Sequence, residues 1–144
     1  MDLLGRKVLM ENGRGLQLLA GRINATIERA IQQPALAAHA NALAKALARV
    51  GAVTKAAWAT GNPSEALANA VPYMQAFGHV VLAWTWLELA LVVATDASKN
   101  GANLQGVLPT TTYFFHYELP KIEAWLRVVE SRDMTCADMP EAAF

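Results

Sequence analysis

Between residues 77 and 99 the chain reads FGHVVLAWTWLELALVVATDASK, and any fold must find a place for it. Eight of the fifteen residues from Val80 to Ala94 are Val or Leu. Trp84 and Trp86, two apart, point to nearly opposite sides of a helix. A helix that is apolar all round is either a membrane span or the centre of a bundle. Each Val or Leu favours insertion by about 0.3–0.6 kcal/mol, whereas a central acidic residue costs roughly 2.5–3.5 kcal/mol. Glu88 therefore cancels most of the gain, and His79 adds to the cost. No Lys/Arg cluster flanks the stretch, and its tryptophans sit inside it instead of at an interfacial belt. The other helical segments each carry one apolar stripe and one polar face, as packing partners of a central helix should. The expectation is a bundle core with no membrane span.

Apolar residues recur at helical spacing nearly throughout, and no alternating strand pattern is present. This predicts an all-α fold: an antiparallel four-helix up-and-down bundle with a central apolar helix, over residues 15–131. Residues 1–14 precede it and an irregular tail, 132–144, follows. The first helix, about 15–31, turns Leu16, Leu19, Ile23, Ile27 and Ile31 to one side. Pro34 ends it, since proline disfavours helix in the residue before. The alanine-rich second helix has Leu36, Leu43, Leu47 and Val50 as its seam, with Lys45 and Arg49 on a solvated face. A third helix starts with Asn62 as cap, Pro63 in first position and Glu65 reaching back. It runs to about 98, with a kink expected at Pro72. The fourth spans about 108–130 on a seam of Phe115, Leu119, Ile122, Leu126 and Val129, bent at Pro120. Glu123 and Arg127 suit an i,i+4 pair on its wet side. The tail has its methionines and Phe144 to pin it to the surface.

A chain of 144 residues is one domain by length. Its apolar fraction of 54% and charged fraction of 17% suit a chain that buries more than one helix face or sits against a partner. The formal net charge of 0 gives no electrostatic reason to expect nucleic acid. One cysteine, Cys136, allows no internal disulfide and fits a reducing cytoplasm. The opening MDLLGRKVLMENGRG has no uninterrupted apolar run, so no signal peptide is expected.

Chemistry-bearing patterns are few. His39, His79 and His116 fall on three different helices, and no Glu-x-x-His, CxxC or HExxH occurs. No catalytic, cofactor-binding or metal-binding residue is assigned. His79 and Glu88, nine apart, face different directions, each toward a neighbouring helix or the surface. Cys136 has no basic neighbour nearer than Arg132 and reads as inert. In YFFHYE, residues 113–118, five consecutive rings cover more than one helix face. Either the core is wide there, or Tyr113, Phe114 and Tyr117 contact another domain or subunit. Both readings stay open.

Three stretches, DLLGRKVLMENGRGLQLL, NAVPYMQAFGHVVLAWTWLELAL and YFFHYELPKIEAWLRVVES, together resemble one family. It is the extra C-terminal helical domain of bacterial acyl-CoA dehydrogenases, the acetyl-CoA dehydrogenase-like C-terminal domain of the long-chain-type and methylthiopropanoyl-CoA dehydrogenase subgroup. The likeness covers nearly the whole chain in order, with DLLGRK its most telling motif. The resemblance implies a non-catalytic part of an FAD-dependent enzyme that converts acyl-CoA to trans-2-enoyl-CoA. The catalytic glutamate would stand in a Tyr-Glu-Gly-Thr segment just upstream, and no Glu-Gly-Thr occurs here, so no catalytic residue is carried over. The resemblance also implies upstream catalytic domains as partners, a homo-oligomer, and an electron-transfer flavoprotein as the parent's electron acceptor. On that view residues 2–10 continue an upstream helix and are poorly anchored here. Two other readings are a freestanding helical interaction protein and a membrane-associated helical protein.

Overall fold

Proline and glycine set the element boundaries. The computed structural model describes residues 1–95 and 105–143. Among these the chain forms six α-helices joined by short π and 3₁₀ turns, with no strand. They are α1 (Arg14–Ile31), α2 (Ala37–Ala57), α3 (Pro63–Leu67), α4 (Ala70–Thr95), α5 (Val107–Tyr113) and α6 (Ile122–Glu130). The expected helix end beyond residue 95, most of the loop after it, and Phe144 lie outside the described residues.

Two of the four expected helices are divided, each by a proline. The third breaks into α3 and α4 at residues 68–69, four residues before the expected kink at Pro72. Proline strikes the carbonyl four residues earlier and offers it no N–H, so the break falls there and Pro72 itself sits in the first turn of α4. The fourth divides likewise around Pro120. The backbone widens to a π turn over Phe114–Glu118, tightens to 3₁₀ over Leu119–Lys121, and resumes as α6. The α3 start follows its sequence: Asn62 Oδ1 accepts from the Ser64 N–H at 3.0 Å, and Glu65 bonds the Asn62 side chain at 3.1 Å.

The seam of the last helix is buried throughout, from Phe115 to Val129. In α1, Ile23 and Ile27 are buried but Ile31 is exposed, and Ala30 takes the inward place at that end. On the inward side of α4, Tyr73 is fully buried. Thr54 gives its only proton to the Val50 carbonyl at 2.7 Å, so the Tyr73 hydroxyl must donate to Thr54, also at 2.7 Å.

Several surface expectations change. Residues 2–10, expected to be loosely held, are anchored. Leu4 and Val8 are buried, the Trp58 indole donates to the Leu4 carbonyl at 3.2 Å, and Gly5 packs where a Cβ would lie 3.1 Å from Leu67. Arg49, read as solvated, forks onto Glu130 at 2.8 and 2.7 Å and reaches Glu123 at 3.2 Å, joining α2 to α6. Glu123 thus pairs across helices, in place of the expected partner Arg127. The tail leaves α6 through a Schellman closure: Asp133 N–H to Val128 O at 3.2 Å and Arg132 N–H to Val129 O at 3.1 Å. Arg132 holds the left-handed position (φ 52°) that glycine usually takes, and its guanidinium donates to the Ala56 carbonyl at 2.8 Å. The Asn69 amide donates to Val128 O and Asp133 O, tying the tail to the α3–α4 junction.

Leu87 and Leu89 of α4 test which face is inward. Leu87 has no exposure and Leu89 is 42% exposed. Leu87→Ala should cost about 2–5 kcal/mol in urea unfolding, and Leu89→Ala should stay within about 0.5 kcal/mol of the parent. Equal losses would mean α4 is turned otherwise.

Candidate interaction surface

Helix α4 touches α1, α2, α5, α6 and the N-terminal π turn, as a central helix should. It is nonetheless uncovered on one side. Val71, Met74, Leu82, Leu89 and Val92 are exposed, at the three- and four-residue steps that align side chains along one helix face. Gly78 and Thr85 fill the register between them, and no charged side chain interrupts it. By length and composition this helix could cross a membrane, with a window of mean hydropathy 1.7 of which 33% is buried. The flanking helices cover roughly three sides of an all-apolar cylinder and leave the fourth open.

Each margin of the face carries a polar cluster. On the α1 side, Glu88 accepts from Arg29 Nη2 at 2.5 Å and from the Thr26 hydroxyl. Thr26, fully buried, accepts in turn from the Trp84 indole at 2.7 Å. On the α5 side, His79 lies against Phe114 and edge-on to Trp125, with centroids 5.9 and 4.7 Å apart. Its Nδ1 is 3.0 Å from the Gln75 carbonyl, which only accepts, so Nδ1 carries the proton and Nε2 faces Glu118 at 3.7 Å. Lys121, donating to Glu118 at 2.7 Å, and then the Tyr113 hydroxyl at 3.2 Å hold the Glu118 carboxyl below its ordinary value. As expected, His79 and Glu88 face apart, each toward a neighbouring element.

The YFFHYE rings divide between core and surface. Phe114 and Phe115 are buried, whereas Tyr113 and Tyr117 are 52% and 65% exposed and stack at 5.1 Å, 17° from parallel. Glu118, at the end of the π turn, stands between this pair and α4: it accepts from the Tyr113 hydroxyl and lies 3.7 Å from His79 Nε2. Burial of Phe114 sets it apart from the two tyrosines with which the sequence grouped it. Sequence reasoning missed Leu82, Leu89 and Val92 as surface residues, since an all-apolar helix gives no sign of which side stays open. It also missed Glu118, which Lys121 holds from three residues away and which meets His79 across about forty residues of sequence.

Two of the histidines separated in sequence meet. His39, buried, stacks on Phe115 at 4.7 Å, lies 5.9 Å from His116, and has Nε2 3.3 Å from Thr112 Oγ1. Among the described residues no group of three or more His, Cys, Asp or Glu could hold a metal ion. Cys136 is exposed. A flavin dinucleotide does not fit either. Its pyrophosphate needs a cradle of converging donors such as a glycine-rich strand-to-helix turn. The described residues hold no strand, and their glycines stand singly in helices and turns. No chemical step is therefore assigned to these residues.

The described residues are thus helical, without a strand, and leave one apolar face of α4 open. Residues 19–140 match the family described as acetyl-CoA dehydrogenase C-terminal like. The match covers well over half of the chain, which belongs to that family. No curated protein matches it.

His39 sets a pH dependence. Burial, then the neighbouring His116, hold its pKa below the ordinary 6.5. The unfolded chain therefore takes up a proton that the folded chain resists, and stability falls as pH drops below 6.5 toward the folded value. Urea midpoints between pH 7.5 and 5 should decline, and His39→Gln should make the decline shallower. An unchanged slope would remove His39 as the cause.

Proposed function

We propose that this chain is the non-catalytic C-terminal helical domain of an FAD-dependent acyl-CoA dehydrogenase, and that it supports assembly by packing α4 against the upstream catalytic domains. The observation that carries the reading is the open face of α4. From Val71 to Val92 it runs for about 30 Å, uncharged and apolar, with the stacked Tyr113–Tyr117 pair linked to α4 through Glu118 and His79. Patches of that kind mark interaction sites, and tyrosines are enriched at interfaces. The family match supports the choice of parent enzyme. On this reading the cofactor and the glutamate base belong to the upstream domains, in keeping with the lack of a phosphate cradle among the described residues. On this reading the parent performs α,β-dehydrogenation of an acyl-CoA, of the long-chain or methylthiopropanoyl type. It is a cytoplasmic homo-oligomer that passes electrons to an electron-transfer flavoprotein.

The test separates the chain from its neighbours. This chain and the polypeptide encoded immediately upstream of residue 1, expressed separately, should copurify, and the upstream part alone should carry yellow colour that acyl-CoA bleaches. Leu82→Glu with Leu89→Glu should abolish copurification while leaving the helical circular dichroism intact; Tyr117→Ser should weaken it. A stop codon directly upstream, or association unaffected by the double substitution, would overturn the proposal.

One observation favours a second reading, a lipid-facing α4: the same face lies on a helix of span length and hydropathy. Cosedimentation with phosphatidylcholine vesicles, lost on Leu82→Glu with Leu89→Glu, would support it over domain packing.

A further inference from the structure

The N-terminal anchor creates a cleft that the packing role does not use. The π turn Leu3–Lys7 and the 3₁₀ turn Met10–Gly13 fold back against the start of α1, with Gly13 reversing the chain at φ 81°. Between them and Phe77 of α4 lies a cleft of about 440 Å³, open on one side. Its walls are Leu3, Val8, Met10, Leu16, Leu19 and Phe77, nearly all hydrocarbon. That volume and lining fall in the range of small-molecule sites, in which a few polar groups orient an apolar ligand.

Three charged side chains line the cleft, all exposed, and two of them are cations. Lys7 and Arg14 line the cleft together with one acid, Glu11, which leaves one net positive charge. Arg14 lies 3.6 Å from Glu11 in an exposed pair of the kind that contributes little. Lys7 has no carboxylate within salt-bridge reach among the described residues, whereas its neighbour Arg6 is paired with Asp2 at 2.6 Å. A hydrocarbon slot lined by two exposed cations is complementary to an alkyl chain that ends in an anion. The chain leaves water for the slot while the head stays wet beside Lys7 and Arg14. A nucleotide or sugar would find no donors on the floor, and a cationic amphiphile would meet like charge.

We infer that this cleft is a binding site for a soluble single-chain amphiphile with an anionic head, of the fatty-carboxylate class. The inference stands apart from the packing role of α4, because it uses a different surface and a different readout.

Titration calorimetry of the 144-residue chain with dodecanoate below its micelle concentration tests it. One saturable site per chain is expected, with amide shifts confined to residues 3–19 and the turn around Phe77. Lys7→Glu with Arg14→Glu should weaken dodecanoate by about tenfold or more and favour dodecyltrimethylammonium instead, as expected when the charge facing the head group is reversed. Gly15 also lines the cleft, and a Cβ there would meet nothing nearer than a carbonyl oxygen at 4.0 Å. Gly15→Leu should therefore fill the slot and abolish binding with an unchanged melting curve. The inference is overturned by absence of saturable binding, by equal affinity for both amphiphiles, by insensitivity to Gly15→Leu, or by shifts on the Leu82–Leu89 face instead.

Discussion

Glu88 is the only carboxylate in a helix that is otherwise hydrocarbon with a few neutral polar groups and one histidine, and the rest of the structure follows from how it is met. Left without a partner on a half-buried helix, its charge would oppose folding. Helix α1 answers with Arg29 and Thr26, and Thr26 is held in turn by Trp84. The chain of donors runs from indole to hydroxyl to carboxylate, so each bond polarises the next. Because an apolar cylinder can pack in many rotations, this polar contact sets the one adopted. With Glu88 turned to α1, Leu87 and Val80 point into the core and Leu82 and Leu89 point out.

The prolines have a comparable effect on the aromatic segment. Pro120 forces the helix before it to widen, and the π turn sends Phe114 and Phe115 inward while Tyr113 and Tyr117 stack outside. Glu118 thus links the segment that carries the tyrosine pair to His79 of α4.

Long cations close the periphery. Arg49 ties α2 to α6, and Arg132 caps the end of α2 from the tail. Both join elements more than seventy residues apart, which is why neither could be recognised from local spacing. Glu123 and Arg127 satisfied the i,i+4 rule, yet Arg49, forked onto Glu130, also donates through Nε to Glu123, and the tertiary pairing prevailed. The anchoring of residues 2–10 has a similar origin: Leu4 and Val8 are ordinary apolar residues until Trp58 and Leu67 are placed beside them.

Several features were legible in the residues alone. Helical periodicity gave the all-α class, the Asn62–Glu65 start of α3 and the buried seam from Phe115 to Val129, because these depend on neighbours within a few positions. The opposite facing of His79 and Glu88 follows from helix geometry for the same reason. The family likeness was also written in local motifs. Only the tertiary structure decided which side of α4 stays open, which two of the five rings stack at the surface, that His39 meets His116, and that the N-terminal turns enclose a cleft. Each of these depends on how segments distant in sequence pack together. An all-apolar helix, a run of rings or a lone arginine carries no local signal of which partner will reach it.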